Sequence, residues 1–219
     1  MGQQIDLLEN YPKPKRDLDK RLNEKKESDR AIARKFGEEF FDGSRSQGYG
    51  GYNYNPRFWS PVVSTFKNYW QLSAKHSILD VGCGKGFMIY DIHRLIPGIE
   101  VKGIDISEYA INNSIKPIKN FVSVANAKNL PFDDKSYDIV ISINTVHNLE
   151  IDECAIALQE IERVKIKGSF ITVDAYRTDD EKKRMMAWNL TAKTILSVED
   201  WIKFFKKVGY TGDYYWFIP

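Results

Sequence analysis

From Lys75 onward the chain alternates short β-rich runs with helix-length segments, and that alternation leaves few folds open to it. The runs are SILDVG (77–82), EVKGIDI (100–106), FVSVANA (121–127), YDIVISIN (137–144) and SFITVDAY (169–176). ILDV and DIVISI are apolar on both faces, as strands covered by helices on each side should be. The intervening segments predict helices over 87–96, 107–118, 152–164 and 181–194, and one more from Ser197, with Glu199 and Asp200 in its first turn and Gly209 as its stop. A last strand falls near DYYWFI (213–218). The pattern predicts an α/β domain with a mostly parallel sheet between two helical layers.

In such a sheet, ligands bind at the carboxyl ends of the strands where the order reverses, which directs attention to the first strand-to-helix turn, DVGCGKGF. Gly82, Gly84 and Gly86 let the backbone approach a ligand closely, and Asp105 follows at the end of the second run, where a carboxylate can accept both hydroxyls of a ribose. A dinucleotide fingerprint fails because Phe87 stands where its last glycine is required. The phosphate-gripping GxxxxGK[ST] loop is absent, since glycine follows Lys85. A nucleoside ligand with no pyrophosphate to cradle remains.

Ahead of this region the chain has a different character. Residues 1–42 hold ten acidic and ten basic side chains and predict a helix over 17–41, which serves as a solvent-facing surface, a lid or a dimer contact. Residues 43–60, GSRSQGYGGYNYNPRFWS, read as a glycine- and aromatic-rich loop that either wraps a ligand, with Arg45, Tyr49 and Tyr52 as contacts, or packs on its own domain. Trp188 and Asn189 add a further substrate-contact candidate, with core packing as the alternative.

The chain closely resembles the class I S-adenosylmethionine-dependent methyltransferases over about residues 75–210. ILDVGCGKG resembles their first motif, GIDIS carries their ribose acid, and NAKNLPFDDKSYDIV is similar to their adenine-contacting segment; ISINTVHNL and ERVKIKGSFITVDA follow in the family's order. The resemblance implies a Rossmann-like class I methyltransferase sandwich with an N-terminal helical extension. Residues 1–60 would form a cap or lid and residues 61–219 the domain that binds S-adenosyl-L-methionine. Carried over by position, Gly82, Cys83 and Gly84 would border the methionine part of the cofactor and Asp80 would orient it. Asp105 would hold the ribose, with Ile106 beside it. Asn126 and Ala127 would face the adenine, the Asn126 carbonyl accepting from the exocyclic amine. Ile143 and Asn144 would lie near the methionine amino group and sulfonium.

Chemistry in this fold is an in-line displacement at the methyl carbon, so most of the protein's task is alignment and exclusion of water. A base is needed only for a nucleophile protonated at neutral pH. His147 is the candidate base, with a capping or packing role as its alternative. Asp174 and Tyr176 end the fifth strand and face the same crevice, where they would orient or deprotonate a substrate. His76 and His93 are read as structural. The family's sheet ends in two strands, the last antiparallel, yet ten residues follow Gly209. One closing strand fits, leaving an edge for the N-terminal segment or a second subunit to cover.

Composition bounds the rest. A net charge of +2 lacks the footprint of a nucleic-acid binder, which favours a small polar metabolite, methylated on oxygen or nitrogen. Two rivals remain: a non-methylating enzyme that releases methylthioadenosine, and a non-catalytic cofactor-binding module. Cys83 and Cys154 lack the spacing of a metal site or disulfide scaffold, so no metal is expected. With no apolar run of membrane-spanning length and no signal peptide, the expectation is a cytoplasmic protein without a membrane partner.

Overall fold

The computed structural model describes residues 2–12 and 27–219. Its centre is a seven-stranded sheet: β1 (Ser77–Val81), β2 (Glu100–Asp105), β3 (Val122–Val124), β4 (Tyr137–Ile143), β5 (Lys165–Tyr176), β6 (Leu196–Ser197) and β7 (Asp213–Phe217). The order runs β3-β2-β1-β4-β5-β6, with β7 also paired to β5, and every strand pair is parallel. The order therefore reverses between β1 and β4, and the crevice opens at their carboxyl ends. This is the mixed α/β, Rossmann-like sandwich of the class I methyltransferases.

The helices are α1 (Glu27–Ala33), α2 (Glu38–Phe41), α3 (Pro56–Trp70), α4 (Phe87–Leu95), α5 (Glu108–Asn112), α6 (Ile151–Val164), α7 (Asp179–Trp188) and α8 (Val198–Val208). Helix α6 buries Cys154, Ala157, Leu158 and Ile161, one face at helical spacing, and α8 adds the fully buried Trp201 and Phe205; both pack on one side of the sheet. On the other side α3 supplies Val62, Val63 and Phe66 against Ile89 and Ile92 of α4. Ser197 caps α8 by accepting the Asp200 N–H at 3.1 Å, and Gly209 ends it at φ 77°, as expected from the residue types.

Several boundaries depart from the sequence reading. The helix expected over 17–41 lies partly outside the described residues, and its described part is broken: Phe36 adopts φ 51° and Gly37 starts a new turn, giving α1 and α2. The aromatic stretch ends at Asn55, whose side chain accepts the Arg57 N–H, and Pro56 opens α3. The helix expected over 107–118 stops at Asn112, and residues 116–121, with Pro117 at the start, form a tight 3₁₀ segment. Helix α7 ends at Trp188 rather than 194 because the Asn189 side chain bonds Ala192 at both its N–H (2.8 Å) and its carbonyl (2.7 Å), closing a turn. Strand β3 is only three residues long, and Asn126 turns the chain by accepting the Lys128 N–H.

A single closing strand, β7, follows Gly209 and runs parallel to β5, where the family's last strand is antiparallel; the two-residue β6 ahead of α8 is not among the strands the sequence predicts. The outer side of β7 is covered by the N-terminal segment: Ile5 N–H donates to the Tyr214 carbonyl at 3.0 Å and Tyr214 N–H to the Gln3 carbonyl at 3.1 Å. Leu7, 2% exposed, anchors that segment in the core. Among the described residues no helix is long and apolar enough to cross a membrane.

Candidate active site

The turn after β1 is held in a conformation that only glycine meets. Gly82 has φ 92°, and a Cβ there would lie 2.1 Å from Thr145 Oγ1; Gly86 has φ 76°, and its Cβ would lie 2.5 Å from Ile118 Cδ1. Asp105, at the end of β2, ties the turn down: Oδ2 accepts the Gly84 N–H at 2.7 Å and Oδ1 the Ser107 N–H at 2.8 Å. A carboxylate has about four lone-pair sites, so both oxygens retain capacity for hydroxyl donors.

Burial governs the charges here. Asp80 is 3% exposed, and burial, then the neighbouring Asp105 charge, pushes its carboxyl well above the usual range. Asp105 is also raised by burial, against the pull of the N–H groups of Ser107 and Gly84. The Cys83 thiol is buried and pushed up by burial and then by Asp80, which makes it unreactive. The charges of Asp80 and Asp105 disfavour one another, so a positively charged ligand between them and the strand ends would be favoured.

Around this turn lie the other family positions. Ile106 is 55% exposed, an unusual state for an aliphatic side chain at a strand end and one that suits the flat face of a base. Ala127 is half-buried, and Asn126 is exposed with Oδ1 engaged by the Lys128 N–H at 3.0 Å. Ile143 is half-buried at the end of β4. Asn144 is exposed at φ 50°, its N–H and side-chain oxygen both bonded to Thr172 Oγ1, at 2.9 and 2.8 Å.

His147 is 3% exposed, and its Nδ1 accepts the Asp174 N–H at 2.9 Å. Neutral imidazole with an occupied Nδ1 carries its proton on Nε2, which lies 4.0 Å from Asp174 Oδ2. Burial lowers its pKa while the Asp174 charge works in the opposite direction. Neither nitrogen thus offers a free lone pair, and the geometry is that of a residue holding the end of β5 in place. Its carbonyl also accepts the N–H groups of Lys193 and Thr194, each at 3.0 Å. Tyr176 is half-buried with the Lys182 ammonium 5.3 Å from its ring centre.

The N-terminal extension folds over the turn. Tyr52 stacks near Tyr49 (4.3 Å between ring centres) and Phe87 (4.7 Å), and carbons of Tyr52 and Phe41 lie 3.5 Å from where a Cβ on Gly84 would stand. Tyr49 is 42% exposed, and Arg45 is exposed and bonded to the Tyr49 carbonyl. Tyr54 donates to the fully buried Asp91 of α4 at 2.6 Å, joined there by Ser60 and Arg94. Trp188 packs on Phe217 of β7, and Asn189 is 8% exposed with its amide spent on Ala192. Arg30 of α1 reaches the Met186 and Asn189 carbonyls at the end of α7.

Sequence reading passed over three residues in this region. Lys85 is 6% exposed and ion-paired to Asp42 at 2.6 Å; Asp42 also accepts the Tyr109 hydroxyl at 2.6 Å and the Tyr52 N–H at 2.9 Å. Burial raises the Asp42 carboxyl, but the hydrogen bonds from Lys85, Tyr109 and Tyr52 outweigh it and bring the pKa to about 2. The available signal was the lysine inside a glycine turn.

A glycine turn packed tightly on Thr145 and Ile118, a carboxylate at the β2 end and an exposed aliphatic side chain beside it together suit a nucleoside with an attached cation. Among the described residues no three His, Cys, Asp or Glu side chains converge as a metal site. The family described as "Methyltransferase domain" matches residues 72–213. Among curated proteins the chain is similar to a ubiquinone biosynthesis O-methyltransferase of Rickettsia bellii, 28% identical over 69% of this chain and 65% of that one. It is also similar to a tRNA (carboxymethyluridine(34)-5-O)-methyltransferase of Arabidopsis thaliana, 32% identical over 65% of this chain and 33% of that one. An uncharacterized Haemophilus influenzae protein is 28% identical, the match spanning 59% of its length. Similar solved structures include MccD (TM-score 0.54, 23% identity, 71% of this chain and 72% of that one). The [4+2]-cyclase SpnF also superposes (TM-score 0.54, 20% identity, 68% and 56%). At these identities the structures share a fold, which by itself leaves the reaction open.

Proposed function

The chain belongs to the family of methyltransferase domains, and from that premise we propose that it transfers the methyl group of S-adenosylmethionine to an oxygen or nitrogen atom of a small polar metabolite. The observation that carries this reading is the glycine turn, tied to Asp105 and roofed by Phe41 and Tyr52, at the same carboxyl end of the sheet as Asp174 of β5. When bound, the cofactor supplies an electrophilic methyl group on a sulfonium.

The protein's residues do the rest. Asp105 accepts the ribose hydroxyls, Ile106 and Ala127 flank the adenine, and Asn126 sits at its edge. Asp80, Ile143 and Asn144 border the cationic end, where the carboxyl of Asp80 favours positive charge. Asp174 orients an acceptor amine or takes the proton of an acceptor hydroxyl, and Tyr176 lies against it. His147 acts through Asp174, holding its backbone at 2.9 Å rather than serving as the base. Residues 36–55 form the cap over the turn. A roof of Tyr52 and Phe41 excludes water, and a net charge of +2 gives nucleic acid little to bind.

Calorimetry with S-adenosylmethionine and S-adenosylhomocysteine tests the first half. Asp105→Ala removes hydrogen bonds to a charged group, worth roughly 1.5–3 kcal/mol, so affinity should fall about 10- to 100-fold. Wild-type affinity in that variant would remove the basis for the assignment. Mass spectrometry of the products tests the second half: S-adenosylhomocysteine marks methyl transfer, and methylthioadenosine marks a different reaction on the same cofactor.

A further inference from the structure

Lys85 stands in the middle of the glycine turn, where a long side chain has solvent within reach, yet it is buried. Its ammonium donates to Asp42 Oδ2 at 2.6 Å and to the Tyr52 carbonyl at 3.0 Å. The same Asp42 oxygen accepts the Tyr109 hydroxyl at 2.6 Å, and the other accepts the Tyr52 N–H. One carboxylate thus joins the glycine turn, the start of α5 and both ends of the aromatic stretch, residues 43 positions apart in the case of Asp42 and Lys85.

The join lies one residue from the proposed cofactor surface on each side. Gly84 precedes Lys85, and Phe41 precedes Asp42; Phe41 and Tyr52 carbons both rest 3.5 Å from the Cβ position of Gly84. A shift of Asp42 therefore moves Phe41, and a shift of the Tyr52 backbone moves its ring. Among the described residues the cap is also attached by ring contacts to Phe87 and Tyr109, which tolerate sliding, by the Ser107 hydroxyl bond to the Phe36 carbonyl, and by the Tyr54 hydroxyl, which donates to the buried Asp91 of α4 at 2.6 Å. Of these joins, the Lys85–Asp42 ion pair is the one that links the residues next to Gly84 and Phe41.

Resting on the functional reading above, we propose that Lys85 and Asp42 are positioning residues whose ion pair latches the aromatic cap onto the glycine turn and so sets the rate of cofactor exchange. Neither touches reacting atoms. Their effect passes through Phe41 and Tyr52, the wall that a ligand on the Gly84 backbone must meet.

The test combines stopped-flow dissociation of S-adenosylhomocysteine with hydrogen exchange of residues 36–55, in the full chain. Lys85→Met and Asp42→Asn should each speed dissociation about tenfold or more and raise KM for S-adenosylmethionine without lowering kcat. Exchange over 36–55 should accelerate while β4 stays protected, and the double variant should be no worse than the singles. Tyr109→Phe, which removes one hydrogen bond and no charge, should give a smaller rise of about threefold and serves if the charge variants do not fold. Folded variants with wild-type dissociation and wild-type exchange would overturn the latch. Failure of the wild type to bind S-adenosylhomocysteine would overturn the functional reading instead, and exchange over 36–55 would still decide whether the latch exists.

Discussion

Asp80 is a carboxyl that the fold buries at a cost and the proposed ligand would use. Its pKa is raised in the folded state, so between the ordinary value of 3.8 and the folded value the folded chain binds more protons than the unfolded one. Stability contributed by this group is present at low pH and lost as pH rises through that window. Asp80→Asn should therefore raise the melting temperature at pH 7 while weakening S-adenosylmethionine binding, which scanning calorimetry with and without ligand would read. His147 has the opposite sign of proton balance. Its folded pKa lies below 6.5, so the unfolded state takes up the proton first as pH falls. Stability should decline as pH drops through 6.5 and level off below the folded value, and His147→Asn, which keeps an acceptor for the Asp174 N–H, should flatten that decline in urea melts at pH 5 and 7. Asp80 and Asp105 were legible in the sequence because a glycine turn and a strand-end acid have a fixed spacing. Asp42 was not, because its partner is set by how the cap folds back and no local spacing encodes that.

Among the elements, α8 shows how much a short amphipathic helix can hold. Phe205 is fully buried, and its ring lies within 6 Å of Trp201, Tyr210, Tyr214 and Trp216, so it joins the helix to β7. Phe205→Ala should cost about 3–5 kcal/mol in urea denaturation with an unchanged m-value. The 3.6-residue pattern of α6 and α8, with the Ser197 and Gly209 caps of α8, made both readable in advance. Helix α3 escaped for an instructive reason: it begins inside the aromatic stretch and holds two prolines that look like breakers, although Pro56 stands at the first helical position behind an Asn55 cap, where proline is favoured, and Pro61 lies inside the helix. Helix α5 and strand β3 were overextended because the Asn113 amide, donating to the Tyr109 carbonyl, the proline at 117 and the side-chain turn at Asn126 end regular structure sooner than hydrophobic patterning suggests.

At the scale of the molecule, the parallel order with its reversal between β1 and β4 puts the glycine turn, Asp105, Asn144 and Asp174 at one edge of the sheet. The opposite consequence of a single closing strand is an edge that needs cover, and residues 3–5 provide it. Removing residues 2–8 should expose the outer side of β7 and withdraw Leu7, a burial worth roughly 1.5–3 kcal/mol. Light scattering should then detect self-association that the intact chain does not show, alongside a lower melting temperature; an unchanged mass and melting point would mean the segment is dispensable. The mostly parallel sheet was foreseeable from the alternating runs, whereas the two-residue β6 and the parallel direction of β7 were not. Which of two partners covers the edge depended on whether Gln3 and Ile5 could reach β7, a matter of tertiary path.

That pairing also orders events in time. Gln3 bonds to Asp213, 210 positions away, and its neighbours lie beside Tyr214. On a ribosome residues 3–5 have no strand to join until the segment around 213–217 has emerged. The central strands can assemble before then, but this seam closes only after nearly the whole span between the two has been made, and until it does residues 3–5 stay unpaired.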